Sequence, residues 1–182
     1  MKKIFIRKYF IFLMIISILT FLLNGRLFYN NSPSVPVGFY FKENSSSFNK
    51  GDIVFFQLDE KTFNFLKGHS LVEKDYKKPF IMKRIGAKQG DTILIKDKKL
   101  FINGKEIYRT IDIPEKNLIT IPDLEYTLKE KEYFLIGDLD ISFDSRYFGI
   151  VKEENLYLAR TLYNVGMSHD ILQCFRVHSG VC

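Results

Sequence analysis

Histidine is scarce in this chain of 182 residues, three in all, and cysteine scarcer still, with two. His69, His169 and His178 are the only histidines, and a serine–histidine–aspartate triad is not the expected chemistry. Cys174 and Cys182 recur with His169 and His178 close to the C-terminus, at a spacing that fits no common zinc pattern; no metal is expected there. There is no internal repeat, and helix-type patterning is rare after residue 26. Acidic residues are missing altogether from the first 26 positions.

That last absence locates the charge. The net charge is +6, with 27 basic and 21 acidic residues, and Lys2, Lys3, Arg7, Lys8 and Arg26 supply five of the positive charges. Beyond Arg26 the chain carries 22 basic residues against 21 acidic and is almost neutral. A phosphate-binding surface is not indicated, so nucleic acid is not an expected partner. The length suits one anchor and one domain of roughly 150 residues, with no second large domain.

From Tyr9 to Leu23 the run YFIFLMIISILTFLL is apolar or nearly so, covering about 22 Å as a helix. Ile4 and Phe5 before it, and Leu27, Phe28 and Tyr29 after it, extend the apolar stretch, while Arg7, Lys8 and Arg26 can snorkel to the headgroups. A transmembrane helix is expected, with membrane lipid as a partner. A cleaved signal peptide is the competing reading, but FLLNGRLFYNN lacks the small-residue pair that a cleavage site needs. Four cations before the span and one after it put the N-terminus in the cytoplasm and the rest outside. On that oxidising side Cys174 and Cys182 could pair as a disulfide or stay free.

Past the anchor, GFYFK, DIVFFQL, PFIMKRIG, DTILIK, KLFING and EYFLIGD have the Ile, Phe, Val and Tyr content of short strands. KLFINGKEI predicts a type I′ hairpin at Asn103 and Gly104, and another turn is expected at Asp97 and Lys98. One helix is expected over Glu60 to Lys67, capped by Asp59 and ended by Gly68. Residues 43–50 and 113–130 read as loops, the second interrupted by Pro114 and Pro122. The expected organisation is a cytoplasmic N-terminus and anchor over 1–29, an antiparallel, mainly β domain over 30–165, and a tail over 166–182.

Serine can be activated without histidine. A lysine desolvated in an apolar pocket gives up its proton near neutrality and can then deprotonate a hydroxyl. Lys83 follows Phe80, Ile81 and Met82, and in a strand it shares a face with Ile81 and Ile85. Taken alone, it would more often be a strand lysine with its head in solvent, just as Ser34 alone would be a turn serine. SPSVPVG at 32–38, IMKRIGAKQGD at 81–91 and GDLDISFDSRYFG at 137–149 stand in order behind the anchor. These three motifs resemble the boxes of the type I signal peptidase family, and their surroundings resemble its TraF-type branch, encoded with conjugative transfer systems.

The resemblance implies a signal-peptidase-like β domain and a serine endopeptidase that needs no cofactor. It implies Ser34 as nucleophile, Lys83 as general base, the Ser34 N–H and the Ser32 hydroxyl as the oxyanion hole, and Ser142 as the residue that orients the lysine. Asp144 and Arg146 would support the loop carrying Ser142, and the pairs Gly137–Asp138 and Gly90–Asp91 read as turn chemistry. The implied partner is an exported, pilin-like precursor cut at small residues on the outer face of the cytoplasmic membrane. Hydrolysis and transfer to a second amine both stay open. The alternatives are a self-cleaving repressor relative, which would need a DNA-binding domain in place of the anchor, and a non-catalytic assembly or binding subunit of a secretion apparatus.

Overall fold

The computed structural model of the chain describes residues 2–23, 25–68, 80–109, 121–140 and 142–165. Its larger sheet has seven strands: β1 (Leu27–Asn30), β2 (Gly38–Glu43), β3 (Ile53–Gln57), β4 (Phe80–Ala87), β9 (Glu132–Ile136), β10 (Val151–Lys152) and β11 (Leu156–Asn164), in the order β1-β2-β11-β3-β4-β9-β10. The smaller sheet orders β5 (Thr92–Lys96), β6 (Lys99–Ile102), β7 (Lys105–Arg109) and β8 (Leu124–Thr127) as β7-β6-β5-β8. Every strand pairing is antiparallel, so the mainly β, antiparallel fold is as expected.

The central strand β3 shows why an unbroken apolar run was needed. Val54 and Phe56 enter one core with Ile85, Leu135, Val151 and Leu156, while Ile53 and Phe55 face the opposite core with Tyr40 and Ala159. A strand covered on both sides has no polar face to alternate with. The Phe28 and Phe55 rings lie 4.7 Å apart although β2 and β11 separate their strands, so the sheet curls around this second core. The small sheet packs Ile93, Ile95 and Leu100 onto Ala87 at the end of β4 and Phe134 in the middle of β9.

Both tight turns form as expected. Asp97 and Lys98 have φ of 49° and 59°, and Asn103 and Gly104 have 51° and 77°, the positive pairs that a type I′ turn requires between the partners Lys96 and Lys99 and between Ile102 and Lys105. Helix α2 (Glu60–Gly68) starts where Asp59 accepts from the Thr62 N–H at 2.8 Å and from its hydroxyl at 2.7 Å.

Three details differ from the sequence reading. Leu124–Thr127, inside the expected loop 113–130, is strand β8; Leu124 and Tyr126 pack on the small-sheet core, a two-residue alternation too short to stand out behind Pro122. Leu27, Phe28 and Tyr29 pair with β2 as strand β1 instead of extending the anchor. At the N-terminus α1 spans Lys2–Leu23, and its described side chains, at 8–21, are exposed. Among the described residues, however, no helix is long and apolar enough to cross a membrane: a helix is found, and the crossing is not. His69, Pro114, His169, Cys174, His178 and Cys182 lie outside the described residues.

Candidate active site

Strands β1 and β2 are joined by residues 31–37, closed at the base by the pair Asn30 and Gly38. Within this loop the Ser32 and Ser34 hydroxyl oxygens are 3.0 Å apart, and the Ser34 N–H points to Ser32 Oγ at 3.4 Å. Pro33 and Pro36 fix φ on either side, which limits the conformations that both serines can take. Ser34 is buried, Ser32 exposed. The Ser34 hydroxyl also reaches the Met82 carbonyl at 3.5 Å, a long contact that sets it beside the residue preceding Lys83.

Lys83 lies opposite Val54 in the β3–β4 pairing and shares a face of β4 with the buried Ile85 and Ala87. Only 5% of it is exposed. Burial pushes its pKa from the ordinary 10.5 down to about 8; the carboxylates of Asp144 and Asp138 pull it up, and the Arg146 guanidinium pushes it further down. An amine of this kind is part-neutral at physiological pH, the property expected of a lysine base.

The segment after β9 joins these parts. The Asp138 N–H donates to the Ser34 carbonyl at 2.7 Å, and the Gly137 N–H donates to Asp144 Oδ2 at 2.9 Å. A methyl group on Gly137 would lie 2.0 Å from Ser142 Oγ and 3.4 Å from Ser34 Cβ, so Ser142 and Ser34 both crowd this one backbone position. The Ser142 hydroxyl is buried and has no hydrogen-bond partner, neither Lys83 nor any other described residue. Ser34 likewise bonds to Ser32 and Met82 and not to Lys83.

Asp144 and Arg146 are fully buried. Asp144 caps the short helix α3 (Ser145–Phe148) through the Arg146 N–H and takes both Nε and Nη2 of the guanidinium at 2.8 Å. The remaining Arg146 donors reach the carbonyls of Asp140, Leu139 and Ser142. Such saturation is what makes a buried pair tolerable; removing one partner would strand the other charge at a cost of about 3–5 kcal/mol. The pair thereby gathers the carbonyls of Leu139, Asp140 and Ser142 around one guanidinium.

Asp138 was read only as a turn residue. Its carboxylate is gripped by Arg84 Nε at 2.8 Å and Nη2 at 2.7 Å, which ties the Ser34 loop to the strand carrying Lys83. The signal lay in Arg84, which must face away from Lys83 on an alternating strand and needs an acid there. Asn30, which braces the serine loop, was also missed. Among the described residues, no group of histidine, cysteine, aspartate or glutamate could hold a metal ion. The assembled chemistry is a pair of adjoining hydroxyls, a near-neutral buried amine and a rigid acid–guanidinium support.

Residues 1–162 match the family model described as signal peptidase, peptidase S26. The plasmid transfer protein TraF of Escherichia coli is 32% identical over 139 residues, which cover 70% of this chain and 76% of that protein. Signal peptidase I V of Bacillus subtilis (strain 168) is 33% identical over 88 residues, covering 42% of this chain and 52% of that one. Among solved structures, a signal peptidase I from Enterococcus faecalis V583 is similar at 23% identity and a TM-score of 0.36, covering 64% of this chain and 98% of that chain.

Proposed function

We propose, starting from the fact that this chain belongs to the signal peptidase family, peptidase S26, that it is a serine endopeptidase working through Ser34 and Lys83. Neutral Lys83 takes the proton of the Ser34 hydroxyl as Ser34 Oγ attacks the scissile carbonyl. The oxyanion is met by the Ser34 N–H and the Ser32 hydroxyl. Lys83 then gives a proton to the leaving amine, an acyl-enzyme forms on Ser34, and water activated by the same amine releases the product acid. Ser142, whose buried hydroxyl lacks a partner, is available to orient the amine. For the first step Ser34 Oγ must turn from the Met82 carbonyl toward Lys83, a tightening common when substrate arrives. The observation that carries the proposal is Lys83, a buried lysine with its pKa lowered to about 8 one residue from the carbonyl that Ser34 touches.

Substrate would bind extended. On one side β4 pairs with β3 from Phe80 to Arg84, but on the other β9 pairs only with Arg84–Ala87. Among the described residues no strand occupies the remaining edge at Phe80–Lys83, where a substrate strand could add its main-chain hydrogen bonds. The α1 segment would anchor the chain in the cytoplasmic membrane with its N-terminus inside and the β domain outside. The substrate is an exported precursor, and similarity to a plasmid transfer protein favours a pilin-like one from a conjugative system. Membranes carrying a candidate pilin precursor, incubated with wild type, Ser34→Ala and Lys83→Ala, test this: wild type should yield mature product and either variant should leave the precursor uncut. Cleavage by Lys83→Ala at the wild-type rate would sink the mechanism and favour a non-catalytic assembly subunit.

A further inference from the structure

The last residue of β1 is an asparagine buried to 7% exposure, an uncommon place for an amide unless it is fully used. Asn30 Nδ2 donates to the carbonyls of Ser32 at 2.8 Å, Val35 at 3.2 Å and Pro36 at 3.2 Å, while its Oδ1 accepts from the Ser32 N–H at 3.2 Å. An NH₂ group has two hydrogens, so three acceptors around it must share them. One side chain therefore holds the peptide groups of the loop before and after Ser34, and clamps Ser32 from both its N–H and its carbonyl. Two prolines in the same loop contribute no N–H, which leaves few other ways to fix it. The chain would otherwise be free to rotate the Ser32 hydroxyl away from Ser34, 3.0 Å distant.

We infer that Asn30 is a positioning residue for the reaction: it sets the Ser32 and Ser34 donors where the oxyanion forms, without touching the reacting atoms itself. This rests on the reading of Ser34 as nucleophile. The identity matters chemically. Aspartate has the same shape but accepts only, and its carboxylate would face three carbonyl oxygens; alanine takes this partner from the Ser32 and Val35 carbonyls and the Ser32 N–H, while the Pro36 carbonyl keeps the Tyr40 hydroxyl. Misplaced oxyanion donors lower turnover more than ground-state binding, because the charge they meet exists only in the transition state. Asn30 does not bond to Lys83 and is not among the groups that shift its pKa, so the lysine's titration should be untouched.

The test uses the full chain in detergent micelles with N-acetyl-alanyl-alanine p-nitrophenyl ester, comparing wild type, Asn30→Ala, Asn30→Asp and Ser34→Ala. Rates are taken per folded molecule, the folded fraction being read by circular dichroism. Asn30→Ala and Asn30→Asp should each lower kcat by about tenfold or more, with KM within about threefold and the acidic limb of the pH profile still near 8. Wild-type kcat per folded molecule in both variants, or a loss confined to KM, would overturn the inference; a variant that merely unfolds falls in the first of these outcomes. If Ser34→Ala stays active, the nucleophile assignment fails instead. If Ser34→Ala is dead and both Asn30 variants match wild type, only the brace is refuted.

Discussion

Lys83 is the residue on which pH should act. With its pKa near 8 and the proposed mechanism requiring the neutral amine, cleavage should fall about tenfold for each pH unit below about 8, and a rate profile on any cleavable precursor reads this directly. The same depression has a thermodynamic sign. Between about 8 and 10.5 the unfolded chain holds a proton that the folded one has released, so stability rises with pH across that window. Below about 8 the folded protein carries the full cost of a charged buried amine, roughly 3 kcal/mol. Lys83→Met should therefore abolish cleavage and yet raise Tm at pH 7 by roughly 5 °C, an outcome that calorimetry of the two proteins would detect. A drop in Tm would mean that the buried lysine is structurally needed after all. The lysine's environment could be foreseen from Ile81 and Ile85 at alternate positions. Asn30 could not, because nothing in LFYNNSP shows that its amide folds back onto three carbonyls.

At the level of elements, the site depends on how closely the segment after β9 approaches the loop before α3. Gly137 has no room for a side chain, with Ser142 Oγ 2.0 Å from where a Cβ would stand. Ser142 cannot simply retreat, because its carbonyl is bonded to Arg146 and the Gly137 N–H to Asp144. Gly137→Ala should destabilise the protein by about 1–3 kcal/mol and cut turnover at least tenfold. Gly68→Ala, at an end of α2 where no described atom lies within 4 Å of an added Cβ, should leave turnover within about twofold. Melting curves and initial rates of the two variants distinguish crowding at the site from a general intolerance of added methyls. The hairpins of the small sheet were readable because Asn-Gly and Asp-Lys turns act locally. The short strand β8 was not, because four residues carry too little alternation and its partner β5 lies some thirty positions away.

For the whole molecule, the sequence conveyed the mainly β class and the three motifs that meet at the site, since each motif carries its residue types in order. It conveyed less of the assembly. That Arg84 reaches Asp138, or that β1 is bonded to β2 and not to the apolar helix before it, depends on pairings between distant segments. The sheet order β1-β2-β11-β3 is the plainest case, for β11 follows β2 by more than a hundred residues and still lies between it and β3. This topology also governs when the protein can work during its own synthesis. Ser34 leaves the ribosome early, but the turn that holds its carbonyl, the buried acid–guanidinium pair and the strand that flanks its hairpin all come from the later part of the chain. A nascent chain therefore carries Ser34, the proposed nucleophile, unarmed, and the site is not assembled until the residues of β11 have been made.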